Sequence, residues 1–138
     1  MAHYSIRIRD HFMCGHTLRG ALFGPAEGRH GATYEVIVEI RGPSLDNNNV
    51  LLDLNRAERA LSRVLEPLRF SDLDEVFPGV NTTTEFLCRR IHDGVAEGLP
   101  PAFRGVVRVE LVENPRMAAA YEAAVPGEDR PAPAEPPS

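Results

Sequence analysis

From Tyr4 to His16 the chain alternates without a break: Tyr4, Ile6, Ile8, Asp10, Phe12, Cys14 and His16 fall on one side of a two-residue period, and Ser5, Arg7, Arg9, His11 and Met13 on the other. Successive strand side chains point to opposite faces, so this segment reads as a long strand with one mostly apolar face and one polar face. Such a strand suits an antiparallel sheet covered on one side only. Residues 17–29 carry Gly20, Gly24, Pro25 and Gly28 and predict a loop, after which residues 34–41 resume the alternation as a second strand. Ser44 to Asn49 supplies turn chemistry, and Ala57, Leu61, Val64 and Leu68 then mark the apolar stripe of a helix. A second helix starts at Thr83 or Thr84, with Glu85 in its first turn and Phe86, Leu87, Ile91 and Val95 facing inward, and Gly98 and Pro100 end it. Residues 106–113 alternate again, Pro115 turns the chain, and residues 117–121 return.

The order is strand, strand, helix, helix, strand, strand: an α+β fold, with a four-stranded antiparallel sheet and two helices on one face. One domain over residues 1–125 is expected, and the Pro-rich residues 126–138 have too little to bury and are expected to be disordered. Such a sheet leaves two edges exposed, and joining edges between subunits is one way to hide them.

Composition narrows the chemistry. A chain of 138 residues builds a core without disulfides or a structural metal, and Cys14 and Cys88 read as free thiols because no export signal is evident. A formal charge of -5 argues against nucleic acid and anionic membrane as partners. All 15 basic residues are Arg, so neither a Schiff-base lysine nor a P-loop lysine exists. With no apolar run long enough to span a bilayer, a cytoplasmic location is expected.

His16 closes the first strand and His30 opens the approach to the second, so the two imidazoles can converge; equally, each can be a strand or loop residue with a local hydrogen-bond partner. Taken in order, the motifs resemble those of the 6-pyruvoyltetrahydropterin and 6-carboxytetrahydropterin synthase family, whose architecture is the tunnelling fold. Phe12-Met13-Cys14-Gly15-His16 is similar to the family's F-S-A-A-H, His30-Gly31-Ala32-Thr33-Tyr34 to H-G-H-N-Y, and Val50-Leu51-Leu52-Asp53-Leu54 to M-V-x-D-F. Thr82-Thr83-Thr84-Glu85 is similar to P-T-x-E, and the strand through Glu113 and Asn114 to V-x-V-x-E-T, with Tyr121 where the family's closing tyrosine follows.

The resemblance implies a zinc site, and here the departures begin. His16 and His30 match two zinc ligands, but Ala32 stands where the third imidazole belongs, and a methyl group cannot coordinate. Zinc is therefore an expected but weakened cofactor. The family's catalytic Cys falls at Ala26, leaving Glu27 as the nearest candidate base or, alternatively, a solvated carboxylate. The relay Asp-His pair falls at Arg69 and Phe70. Cys14 lies beside His16 on one face and is a candidate fourth donor or nucleophile, or else a small core residue. His11 and His92 are set aside as ligands. Glu113 matches the carboxylate that accepts paired N–H donors from the guanidine-like edge of a pterin, with Thr83 and Glu85 as neighbouring substrate contacts.

Two functions are compatible with this pattern. One is a divergent lyase or cyclase acting on a small heterocycle or carbonyl compound; the other is a catalytically silent relative that binds a ligand or partners an active subunit. The resemblance further implies a homo-oligomer, a hexamer of two stacked trimers.

Overall fold

A computed structural model describes residues 2–127, so the tail expected at 126–138 lies almost wholly outside the described residues. Strand β1 (Tyr4–His16) and strand β2 (His30–Gly42) form a hairpin paired in unbroken register from Tyr4 opposite Gly42 to His16 opposite His30. β2 therefore begins before residue 34: His30 to Thr33, polar or small, are recruited by continuous pairing with β1 rather than by an apolar pattern.

Helix α1 (Leu54–Leu65) follows, capped by Asp53, whose carboxylate accepts from the Asn55 N–H at 2.9 Å. The expected first helix ends sooner than its stripe, and Glu66–Leu68 form a 3-10 turn with Pro67 near its start. Next come a two-residue strand, β3 (Ser71–Asp72), and a one-turn helix, α2 (Leu73–Val76). Helix α3 (Thr84–Glu97) has Thr83 at its cap, and β4 (Gly105–Asn114) and β5 (Met117–Val125) complete the chain.

The sheet order is β3-β1-β2-β4-β5. Four strands are the expected antiparallel set. The fifth, β3, is a parallel addition beside Cys14 and Gly15, too short to leave any periodicity in the sequence. β5 runs on to Val125, past its expected end at 121, because Ala123 and Val125 continue to pair with Val107 and Gly105.

α1 and α3 cover one face. Phe12, Tyr34, Val36, Val38, Ile40, Val107, Val109 and Leu111 from the sheet meet Ala57, Leu61, Leu65, Leu87, Ile91 and Val95 from the helices in a single core. The helices approach closely where Gly94 faces Val64 and Gly98 faces Ala60. The opposite face carries cross-strand ion pairs, Arg7–Glu39 at 3.3 Å, Arg9–Glu35 at 3.4 Å and Arg41–Glu122 at 2.9 Å. These exposed pairs add little stability each, but they keep the uncovered face wet. No helix among the described residues is long and apolar enough to cross a membrane.

Candidate functional site

The ends of β1, β2 and β4 and the start of α3 open onto one cavity of about 430 Å³, lined among others by His16, His30, Ala32, Tyr34, Thr83, Thr84, Glu85 and Glu113. Its size falls in the range of small-molecule sites. The 17–29 segment adds Leu18, Phe23 and Ala26 as an apolar wall. That segment is pinned from outside: the Arg19 N–H donates to Asn81 Oδ1 at 2.7 Å, and Asn81 Nδ2 donates back to the Arg19 carbonyl at 3.0 Å.

His16 and His30 are paired residues at the hairpin's open end, and their rings lie 4.5 Å apart between centroids. His16 is buried; its Nδ1 sits 3.1 Å from the Thr82 carbonyl oxygen and 3.0 Å from Thr82 Oγ1. A carbonyl can only accept, so the hydrogen is on Nδ1 and the neutral ring keeps its lone pair on Nε2. His30 Nδ1 lies 2.9 Å from the Gly28 carbonyl, which fixes the same tautomer. Burial lowers the His16 pKa, and His30 lowers it further; the Thr82 carbonyl, Asp74 and Glu113 oppose the shift. Asp74 is held nearby because its Oδ1 accepts from the Thr17 N–H at 3.1 Å.

Two locked lone pairs are what a metal wants, so zinc can be tested on the donor set. The third family position, Ala32, lines the cavity with a methyl group. Cys14 pairs with Ala32 across the hairpin, yet its side chain belongs to the core, where burial pushes the thiol up to about 11. It is no thiolate at neutral pH and is not part of the cavity wall. Among the described residues no three His, Cys, Asp or Glu side chains form a ligand group. Catalytic zinc takes three protein ligands, so the residues present do not fit a resident zinc.

Glu113 is exposed at the end of β4 rather than buried on the inner face with Val107, Val109 and Leu111. The β4–β5 register slips between Val112 and Asn114, making Glu113 the extra residue of a bulge. Glu113 lines the cavity mouth, where Thr84 Oγ1 donates to its Oε1 in a short hydrogen bond. Thr84 also hydrogen-bonds with the Tyr34 hydroxyl, whose pKa burial pushes up to about 12. Tyr34, Thr84 and Glu113 thus form a polar run from the core to the cavity.

The structure brings together His16, His30, Thr83, Glu85 and Glu113. Thr83 caps α3, its Oγ1 accepting from the Phe86 N–H at 3.2 Å. Glu27 does not join them: it is exposed at the end of the short turn Ala21–Glu27, while its neighbour Ala26 lines the wall. Thr84 and Tyr34 were not singled out as site residues from the sequence, although Tyr34 shares the period-two face of His30 and Ala32. The relay positions are structural. Arg69 binds Asp10 Oδ2 at 2.7 Å and the His11 carbonyl at 2.6 Å, and Phe70, at φ 52°, projects 84% exposed into solvent.

The sequence profile of one family, 6-pyruvoyl tetrahydropterin synthase, matches residues 5–124. The chain belongs to that family. Among solved structures it is similar to the 6-pyruvoyl tetrahydropterin synthase of Caenorhabditis elegans, at 21% identity and TM-score 0.77, over 89% of this chain and 97% of that one. It is also similar to the Plasmodium falciparum enzyme, at 14% identity and TM-score 0.76, over 91% of this chain and 100% of that one. A Plasmodium vivax enzyme carrying alanine in place of a catalytic glutamate aligns at 14% identity and TM-score 0.74, again over 91% and 100%. A search of curated protein sequences returns no match. These likenesses establish the tunnelling fold.

Proposed function

We propose that this 6-pyruvoyl tetrahydropterin synthase relative binds a planar nitrogen heterocycle through Glu113 and acts on it as a lyase or cyclase without the standard synthase machinery. The observation that carries the reading is the Thr84–Glu113 hydrogen bond beside the two imidazoles in one cavity. A carboxylate fixed at one oxygen presents its remaining lone pairs to paired N–H donors, as on the guanidine-like edge of a pterin. Thr83 and Glu85 border the same end of the ring.

The imidazoles act as proton acceptors. With Nδ1–H committed to backbone carbonyls, neither neutral ring can donate to a substrate carbonyl, so direct polarisation of that group is not their role. Neither Cys14 nor Glu27 lies on the cavity wall. The Plasmodium vivax variant marks a glutamate as catalytic in that protein; Glu27 takes such a role here only if the 21–27 turn moves inward. A silent, ligand-binding role is the second reading, and it is favoured by the relay positions, where Arg69 is engaged with Asp10. In either reading the protein is a homo-oligomer, with the uncovered edges of β1 and β5 joining between subunits in a hexamer of two trimers.

The test is fluorescence titration with pterin on wild type and on Glu113→Gln, followed by product analysis after long incubation. We expect binding by wild type and loss in the variant; equal binding by both removes the anchor. Conversion of a bound pterin derivative supports the enzyme, and its unchanged recovery supports the silent reading.

A further inference from the structure

The donor set around the cavity has a consequence for what enters it. His16 and His30 each give their ring hydrogen to a backbone carbonyl, so each offers an Nε2 acceptor. Glu113 and Glu85 offer carboxylates. The described lining contains no arginine, and the chain has no lysine at all. Arg29, in the hairpin loop, is drawn off to Asp72 at 2.8 Å. The N-terminal end of α3 adds positive potential, and Glu85 in its first turn together with Glu113 opposes it. Ala32 leaves open the space an imidazole would fill.

We propose that the cavity takes an uncharged or cationic ligand, free of phosphate and carboxylate groups, whose hydroxyl or amine substituent donates to Nε2 of His16 and His30 where relatives of this fold would hold a metal. This rests on the pterin-edge reading of Glu113 and names the other end of the ligand. An anionic substituent there finds no donor: the two imidazoles present lone pairs, and Glu85 and Glu113, both exposed, add a repulsion that salt weakens. A hydroxyl or amine meets acceptors that water would otherwise have to satisfy.

The experiment is fluorescence titration of the full chain with three probes of one ring, pterin, 6-hydroxymethylpterin and 6-carboxypterin, each with and without excess EDTA. We expect 6-hydroxymethylpterin to bind tightest, 6-carboxypterin to bind roughly tenfold or more weakly than pterin, and EDTA to change none of these values. His30→Phe should erase the advantage of the hydroxymethyl group over pterin. Equal or tighter binding of 6-carboxypterin overturns the proposal and leaves the Glu113 anchor standing, as does loss of binding on chelation. Failure of all three probes overturns the anchor reading, and this inference falls with it. The probe series on wild type decides the matter even if His30→Phe does not fold.

Discussion

Gly94 lies on α3 where it crosses α1, and a Cβ placed there would sit 2.6 Å from Val64 Cγ2 and 3.1 Å from Cγ1. Gly94→Ala brings two opposing effects. Replacing glycine inside a helix gains about 0.5–1 kcal/mol from reduced backbone entropy in the unfolded chain. The new methyl overlaps a β-branched side chain that has one favoured rotamer in a helix and cannot swing aside, and overpacking of this sort costs about 1–3 kcal/mol. The clash wins, and a net loss of about 1–2 kcal/mol is expected, some 4 °C in melting temperature per kcal/mol for a domain of this size. Val64→Ala removes both offending methyls, so in that background Gly94→Ala should be stabilising by about 0.5–1 kcal/mol. The double-mutant cycle, measured by urea denaturation followed by circular dichroism, should give a favourable coupling of about 1.5–3 kcal/mol. Additive single effects, or stabilisation by Gly94→Ala alone, would show that the helices do not meet at this glycine.

Thr84→Val deletes the hydroxyl that orients Glu113 and partners the buried Tyr34 hydroxyl; pterin affinity should fall roughly tenfold and stability by about 1–3 kcal/mol, and unchanged affinity would show that the carboxylate needs no positioning. Ala32→His should convert the cleft to a zinc site, read as metal retained through dialysis by elemental analysis, and no retained zinc would mean residue 32 does not face His16 and His30. The folded-state pKa of His16 is below the ordinary value of 6.5, so the native protein binds fewer protons than the unfolded chain and stability rises with pH. This contribution is complete above pH 6.5 and is lost as pH falls through the lower folded-state value. Melting temperature should drop from pH 7 towards pH 5, where carboxylates have yet to dominate, and His16→Gln should flatten that slope; an identical slope in the variant would assign it to other groups.

Alternation told the faces of the hairpin but not depth along it. It placed Cys14 and His16 together correctly, yet only packing shows that Cys14 sinks into the core while His16 reaches the cavity. Alternation gives Glu113 the face of Leu111 but not its exposure, which coincides with the slipped register against β5 between Val112 and Asn114. The two residues of β3 carry no period, and their pairing depends on Phe70, whose N–H donates to the Met13 carbonyl at 2.6 Å and so aligns the segment beside β1. The cap at Thr83 was legible because a short polar side chain before an apolar run has a local mechanism, whereas the cap at Asp53 emerged only from the structure. The role of Arg69 was not, since its partner Asp10 is 59 residues away.

The carbonyls of Thr82 and Gly28 aim the two imidazoles whatever occupies position 32. The backbone thus stores half of a coordination sphere independently of the residue that would complete it. On the reading proposed above, an alanine or a histidine at that one codon decides between organic hydrogen bonding and inorganic ligation. A scaffold arranged in this way can change its chemistry by a short mutational path without first passing through an unfolded intermediate form.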